Sequence, residues 1–132
     1  MTADIDRLLP LTPAVYHILL ALVDGERHGY GIIKAVQAAT DGKMRFGTGT
    51  LYRSLDYMLE AQLITEGVVR PDPAVNANAP RRHFRLTALG AQVFSAETER
   101  IGQLVRAGEA AQERLGLPRP TLAFTARAGG EA

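Results

Sequence analysis

The sequence predicts a mainly α fold with a minor β component: three helices, a two-stranded hairpin and a long C-terminal helix. Three observations predict it. Apolar residues recur at helical spacing in three segments within residues 12–62. Two strand-like segments, 63–70 and 81–86, flank a stretch rich in proline and asparagine. Residues 87 to about 115 are mostly strong helix formers.

The composition is that of a globular protein. The 132 residues are 46% hydrophobic and 22% charged, which suits one domain with an extension. We find no apolar run long enough to cross a bilayer and no signal-peptide pattern, so no membrane association is expected. The lack of cysteine excludes disulfides and thiolate metal sites, and it favours the cytoplasm.

The first two helices have recognisable starts and ends. Thr12 is expected to cap the first helix ahead of Pro13, and Asp24-Gly25 ends it. The second helix is predicted over residues 29–39. The residues expected in the core recur three or four positions apart: Val15, Ile18, Leu19 and Leu22 in the first helix, and Ile32, Ile33 and Val36 in the second.

The third helix is predicted to begin around Thr48, which is expected to cap it. The side chains left outward near its start are Thr50, Arg53 and, in part, Tyr52. Its first turn therefore offers polar groups to an outside partner. The opposite, apolar face is expected to be buried and consists of Leu51, Leu55, Met58 and Leu59.

A hairpin is predicted after the third helix. Residues 63–70 are strand-like, and residues 81–86 alternate between apolar and polar side chains. The intervening residues 71–80 include three prolines and two asparagines, so we expect a loop there. Three helices followed by a hairpin with a protruding loop form the winged version of the helix-turn-helix.

The long helix is predicted to have two different halves. Thr87 caps it, and Leu89 and Val93 are expected to pack on the chain's own domain. Beyond them, Glu97 interrupts the apolar pattern. The alternative to pairing with another helix is that the whole helix packs on its own domain. Little intrachain core remains past residue 94, so pairing with a second copy is favoured. The residues predicted to form this dimerisation seam recur at roughly heptad spacing: Phe94, Ile101, Leu104, Val105, Ala111 and Leu115.

These elements divide the chain into four parts. Residues 1–11 form an N-terminal arm, and residues 12–86 form the winged helix-turn-helix domain. Residues 87–116 form the C-terminal dimerisation helix. Residues 117–132 contain prolines and glycines with little periodicity, which predicts a flexible tail.

Positive charge is clustered although the net charge is only +1. A global basic field is therefore not available to attract nucleic acid. Two stretches, 42–55 and 81–96, contain basic residues and no acidic ones. Solvated surface is the alternative interpretation of these clusters. Their basic residues are Lys43, Arg45 and Arg53 in the first stretch, and Arg81, Arg82 and Arg85 in the second.

The start of the third helix is the candidate site. A helix N-terminus presents unpaired N–H groups and the positive end of the helix dipole. Gly47 and Gly49 would let a phosphate oxygen or a base edge approach the backbone closely. Arg53 could contact phosphate or guanine. The alternative to DNA contact for Thr48 is that it caps the helix. The alternative for Tyr52 is that it is a half-buried aromatic side chain. Hydroxyls that could donate to phosphate belong to Thr48, Thr50 and Tyr52.

Three segments resemble the PadR-type bacterial transcriptional regulators. They are HGYGIIKAV (28–36), GTLYRSLDYMLEAQLI (49–64) and RRHFRLTALG (81–90). The resemblance covers roughly residues 10–115, and the segments have the family's order and spacing. The sequence departs from the family pattern at Phe84, where tyrosine is usual, and at Arg53, where proline is frequent.

The resemblance implies a cytoplasmic, nucleoid-associated homodimer that binds a palindromic operator in double-stranded DNA and represses transcription. Two recognition helices would then meet half-sites about 34 Å apart. The single C-terminal helix is similar to that of the smaller subfamily, whose members sense small aromatic or lipophilic effectors. The DNA-binding residues expected from the pattern and the resemblance are His28, Tyr30, Lys43, Arg45, Thr48, Thr50, Tyr52, Arg53, Arg81 and Arg82.

Two other classes of function are alternatives to a DNA-binding regulator. An enzyme is disfavoured because the sequence has no nucleophile elbow, no phosphate loop and no convergent histidine and carboxylate, so no cofactor is expected. His17, His28 and His83 lack ligand spacing, so no metal is expected. The second class is a winged-helix interaction module without DNA binding, which a nearly neutral net charge leaves open.

Overall fold

Helices and a small sheet enclose one apolar core in the computed structural model, which describes residues 2–67, 70–72 and 76–121. This arrangement confirms the predicted mainly α winged-helix fold with a long C-terminal helix. The helices are α1 (Thr2–Asp6), α2 (Pro13–Leu22), α3 (Gly29–Ala39), α4 (Thr48–Glu60) and α5 (Ala88–Leu115). The strands are β1 (Arg27–His28), β2 (Ile64–Glu66), β3 (Arg70–Asp72), β4 (Asn76–Arg81) and β5 (His83–Leu86).

The predicted caps hold at two of three helices. The Thr12 hydroxyl accepts the Val15 N–H at 3.2 Å, and the Thr87 hydroxyl accepts the Gly90 N–H at 2.9 Å. Each satisfies one of the N–H groups left unpaired at a helix start. The third predicted cap, Thr48, does not cap its helix, because the N-cap residue of α4 is Gly47.

The core lies between α2, α3 and α4 on one side and the sheet with the start of α5 on the other. Phe84 of β5 is fully buried at its centre. The predicted buried faces are confirmed, except that Ile33 and Leu59 are partly buried at its edge. The buried apolar residues are Val15, Ile18, Leu19, Leu22, Ile32, Val36, Leu51, Leu55, Met58, Leu63, Ile64, Phe84 and Val93.

The sheet has one strand that the sequence pattern does not predict. Its order is β1-β5-β2, all antiparallel, with Phe84 opposite Arg27 on one side and Glu66 on the other. Strand β1 has only two residues, too few to show an alternating pattern. The short helix α1 likewise lies in a stretch predicted only as an arm.

The prediction of a loop over residues 71–80 is wrong in part. Strands β3 and β4 pair as a separate antiparallel ribbon, with Pro71 opposite Pro80 and a register shift after Pro71. Both strands of a two-stranded ribbon are edge strands. Prolines are tolerated at edges because the missing N–H need not reach a neighbour.

Gly90 brings α5 close to the end of α4. A Cβ at this position would overlap the carbonyl oxygen of Leu63. In addition, the Thr87 hydroxyl donates to the carbonyl of Gln62 at 2.6 Å. A glycine in a helix is usually a weak point, but here it permits close contact between two backbones.

Glu97, which interrupts the predicted seam, is buried with only 1% of its surface exposed. Its carboxylate accepts the Leu11 N–H at 2.8 Å and two N–H groups of Arg100 at 2.5 and 3.0 Å. The Arg100 bonds, with the Leu11 bond, hold the pKa of Glu97 below its ordinary value. The residue therefore attaches the N-terminal arm to α5.

The predicted seam residues divide between two environments. Phe94 stacks on Tyr16 of α2 with ring centroids 5.4 Å apart, so it already has a partner within the chain. Leu104, Val105 and Leu115 are 63%, 51% and 71% exposed. Ile101 and Ala111 are partly exposed on the same half of α5.

No described helix is long and apolar enough to span a membrane. Residues 122–132 of the predicted tail lie outside the described part.

Candidate nucleic-acid interface

Helix α4 begins without a side-chain cap. Its N-cap residue is Gly47, in extended conformation, and no side-chain hydrogen bond caps the helix within the part of the chain that the structure describes. Thr48 already lies inside the helix, so the prediction that it caps α4 is wrong. A capping side chain must come from the extended residue before the helix, and Gly47 has none. The first-turn N–H groups therefore have no capping side chain among the described residues.

The two glycines at this end face open space. A Cβ at Gly47 or at Gly49 would meet no atom within 4 Å. Packing within the chain therefore does not require glycine at either position. Their small size leaves room for an outside group to approach the backbone, as the sequence predicts.

The residues around this end present hydroxyls and cations to solvent. Thr48, Thr50 and Arg53 are exposed on the first turns of α4. In the preceding segment the side chains alternate: Lys43 and Arg45 are exposed, whereas Met44 and Phe46 pack against the core. The segment is held by Thr40, whose buried hydroxyl accepts the Met44 N–H at 3.0 Å.

Tyr52 is half-buried between α3 and the base of the hairpin. Its hydroxyl lies so close to Gly29 that a Cβ there would be 2.7 Å away. The Arg82 guanidinium lies over the Tyr52 ring, 5.7 Å from its centroid, and over the Phe84 ring at 5.2 Å. Tyr52 is therefore a half-buried aromatic side chain, as the alternative interpretation expects, and its contact with DNA stays a prediction.

Arg82 is engaged in an ion pair. It donates to both carboxylate oxygens of Glu66, at 2.8 and 3.0 Å. These bonds lower the pKa of Glu66 and raise that of Arg82. The pair is partly exposed, with 41% of the Arg82 side chain accessible. An exposed pair of this kind is weak, so an approaching phosphate could compete for the guanidinium.

The start of α3 adjoins this cluster. His28 caps α3, because its Nδ1 accepts the Gly31 N–H at 3.0 Å, and its ring meets His83 edge-on at 5.9 Å. Tyr30 is exposed, and the ammonium of Lys34 lies 5.5 Å from its ring centroid. Lys34 was missed by sequence reasoning, although its spacing of four residues from Tyr30 is the signal that could have found it.

The structure thus places His28, at the end of β1, beside the hairpin, and Arg82 of the hairpin over the ring of Tyr52 in α4. Lys43, Arg45, Thr48, Thr50 and Arg53 lie exposed on one continuous segment of chain. The side chain of Arg81 falls outside the described part. No group of three or more metal-binding side chains occurs within the described residues.

The arrangement presents several groups that can bind an anion. No acidic residue lies between Gly42 and Leu55, and the uncapped helix end adds a partial positive charge. Backbone N–H groups, hydroxyls and guanidinium groups are the donors that contact phosphate oxygens in protein–DNA complexes.

Comparison with known proteins identifies structures of similar fold. Solved structures that superpose on the chain include a transcriptional regulator from Clostridium thermocellum, with a TM-score of 0.62, 20% identity, and coverage of 74% of this chain and 87% of that one. A PadR family regulator from Clostridium difficile superposes with a TM-score of 0.58 and 19% identity, covering 79% and 98%. Bacillus subtilis PadR, solved in complex with operator DNA, gives 0.56 and 21%, covering 66% and 47%.

At these identities the structural likeness shows the fold alone. No curated protein matches the chain. The family model of the PadR-like transcriptional regulators matches residues 18–96, which is more than half of the sequence and includes all three segments noted above. The predicted resemblance is confirmed: the chain belongs to the PadR-like family of transcriptional regulators.

Proposed function

We propose that the protein is a sequence-specific DNA-binding repressor that acts as a homodimer on a palindromic operator. The observation that carries the proposal is the uncapped, glycine-bordered start of α4, with Thr48, Thr50 and Arg53 exposed around it. A transcriptional regulator of this family would act in the cytoplasm, at the nucleoid.

The physical basis is the match between this helix end and a DNA backbone. A phosphate oxygen could accept the unpaired N–H groups of the first turn, which also carry the positive end of the helix dipole. With Gly47 and Gly49 leaving space at the backbone, the start of α4 could enter the major groove. Arg53, one turn further on, could then reach a phosphate or a guanine edge.

Two further sets of residues would extend the contact. Tyr30 is exposed in the first turn of α3, which His28 caps, and Arg82 at the base of the hairpin lies over the ring of Tyr52 in α4. Lys43 and Arg45 precede it in an exposed segment. The existence of a family member solved in complex with operator DNA supports this assignment.

Dimerisation is proposed on the basis of the exposed half of α5. Leu104, Val105 and Leu115 are more than half exposed there, and they belong to the predicted seam. Large apolar side chains clustered on one solvent-facing stretch of helix are typical of an interaction surface. A second copy of α5 would cover them, and a two-fold axis would place two α4 helices against successive turns of DNA.

The test is the binding of duplex DNA from the region upstream of the protein's own gene, measured by fluorescence anisotropy at several salt concentrations. We expect the affinity to fall steeply with salt, because phosphate contacts release counterions. A flat salt response, or no binding, would favour an interaction module that does not bind DNA.

A matched pair of variants isolates the helix start. Gly49→Ala adds one methyl group in open space and removes a weak helix former, so the fold should become more stable by up to about 1 kcal/mol. DNA affinity should nevertheless fall, because the methyl group occupies the path of the phosphate. Gly102→Ala in α5, where only the flexible end of Arg106 is near, should leave DNA affinity unchanged. Equal affinity of Gly49→Ala and the parent would contradict the assignment.

A further inference from the structure

Glu66 is an acidic residue beside Arg82 of the proposed DNA-binding face. It ends strand β2 and lies opposite Phe84 of β5. Beyond this pair, the Gly67 N–H donates to the His83 carbonyl at 2.6 Å, which joins the two strands at the base of the hairpin. The register therefore places Arg82 diagonally across from Glu66, within reach of a long side chain.

The Arg82 guanidinium is held along one edge and against two rings. Its Nε and Nη2 groups donate to the two carboxylate oxygens of Glu66, at 2.8 and 3.0 Å. The guanidinium also lies over the rings of Tyr52 and Phe84, 5.7 and 5.2 Å from their centroids. A planar group that is both stacked and paired on one edge has a more defined position than a lone charge on a flexible stem. Arg82 is therefore oriented before any DNA arrives.

The other edge of the guanidinium takes no part in this ion pair. The bonds to Glu66 come from Nε and Nη2, and the Nη1 edge lies on the far side of the planar group. That edge can form a second bidentate contact, which matches the geometry of a phosphate group. Because 41% of the Arg82 side chain is exposed, a phosphate can bind there while Glu66 keeps the first edge.

The ion pair also removes most of the long-range attraction of Arg82 for DNA. The hydrogen bonds from Arg82 hold the pKa of Glu66 below its ordinary value, so the carboxylate is charged at neutral pH. Two opposite charges in contact present almost no net charge to a distant phosphate. Since non-specific DNA binding rests on that attraction, the paired Arg82 should add little to the binding of random DNA.

We propose that Glu66 is a positioning residue that contributes to DNA specificity: it fixes Arg82 for one phosphate of a correctly docked operator and prevents the same guanidinium from binding random DNA. The proposal rests on the proposed DNA-binding function. Without the carboxylate, Arg82 would be a mobile cation able to reach many phosphates. Specificity would then depend in part on a residue that touches no nucleotide.

The first experiment compares Glu66→Gln with the parent on two duplexes, one from upstream of the protein's own gene and one of shuffled sequence. Affinity is measured by fluorescence anisotropy at several salt concentrations. We expect the variant to bind shuffled DNA about three- to fivefold more tightly, the effect of releasing one exposed ion pair, with a salt slope steeper by about 1. The upstream duplex should gain less, so the preference for it should fall. A preference equal to that of the parent would overturn the proposal.

Glu99→Gln is the matched control, because Glu99 also pairs with an arginine, Arg106 at 3.3 Å, but on α5. It removes the same charge and should leave the preference between the two duplexes unchanged. In an Arg82→Gln background, Glu66→Gln should no longer lower that preference, since no guanidinium is released. If Glu66→Gln strengthens binding to both duplexes equally, or lowers the preference in the absence of Arg82, the positioning role is wrong.

A measurement without DNA separates this role from the proposed function. NMR of the full-length protein detects an arginine Nε–H that hydrogen bonding protects from exchange with water, and Arg82→Gln identifies the Arg82 signal by its loss. We expect a protected signal in the parent and in Glu99→Gln, and fast exchange in Glu66→Gln. Equal protection in Glu66→Gln would refute the positioning of Arg82. If the signal behaves as expected but the parent binds the two duplexes equally or not at all, the proposed sequence-specific function fails while the positioning stands.

Discussion

The backbone N–H of Leu11 donates to the buried carboxylate of Glu97 across 2.8 Å, and this bond joins residues 86 positions apart in the sequence. It connects the N-terminal arm to the long helix. Arg100, on the next turn of that helix, completes the set by donating two hydrogen bonds to the same carboxylate. One acidic side chain therefore organises the region where the arm, α2 and α5 meet.

The stability supplied by Glu97 should depend on pH. Its pKa is lowered in the folded protein by Arg100 and by the Leu11 N–H, relative to an ordinary value of 4.5. A lowered pKa contributes stability above that ordinary value, and the contribution is lost as pH falls through the folded-state pKa. We expect Glu97→Gln to cost about 1–2 kcal/mol at neutral pH and progressively less under acid conditions.

Urea unfolding of the parent and of Glu97→Gln across this range measures the effect. Glu99→Gln is the matched control, because its carboxylate is exposed on the same helix. A parent–variant difference that stays constant from neutral to acid pH would contradict the role of the charge.

Gly90 should be indispensable for a packing reason. Alanine there would place its Cβ on the Leu63 carbonyl oxygen, so α5 would have to move away from β2. We expect Gly90→Ala to destabilise the protein by about 1–3 kcal/mol or more. Gly102→Ala, in the interior of the same helix and free of backbone neighbours, should instead stabilise it by up to about 1 kcal/mol. Thermal unfolding of both variants measures these effects. Equal melting temperatures of the two variants would contradict the packing role of Gly90.

Removing Arg53 should change the salt dependence of DNA binding as well as its strength. If its guanidinium contacts one phosphate, Arg53→Ala should reduce the slope of log affinity against log salt by about 1. If it reads a guanine edge, the slope should stay while discrimination between operator and random DNA falls. DNA-binding titrations at four or more salt concentrations distinguish phosphate contact from guanine contact. Parent-like binding in both respects would remove Arg53 from the interface.

The exposed half of α5 should control the oligomeric state. Val105→Asp places a charge on the proposed seam and should yield monomers in light scattering. Val23→Asp is the matched control, because Val23 is 50% exposed and Val105 is 51% exposed, but Val23 lies at the end of α2. A persistent dimer in Val105→Asp would exclude this face from dimerisation.

Much of the fold could be predicted because periodicity and capping agree locally. The faces of α2 and α4 and the caps at Thr12 and Thr87 all follow from short-range rules. The helix register then identified which side chains at the start of α4 are exposed. That part of the candidate site could be predicted without knowledge of contacts between distant residues.

The remaining features depend on contacts between distant residues. In the sequence, Glu97 only interrupts an apolar pattern, since no nearby residue indicates its hydrogen bond with the Leu11 N–H. From the sequence alone, Gly90 is a residue that weakens a helix, because the Leu63 carbonyl that requires it lies in the distant turn between α4 and β2. Thr48 was misplaced by one residue, which is enough to move a hydroxyl from capping a helix to facing solvent.

The junction between β2 and α5 has a consequence for operator choice. With Gly90 against the Leu63 carbonyl and Thr87 bonded to Gln62, the start of α5 is anchored directly to the turn that follows α4. In the proposed dimer, this anchor would restrict changes in the separation of the two α4 helices. Operators of unequal spacing would be accommodated by twisting or bending the DNA, and the energy of that deformation would itself discriminate between sequences.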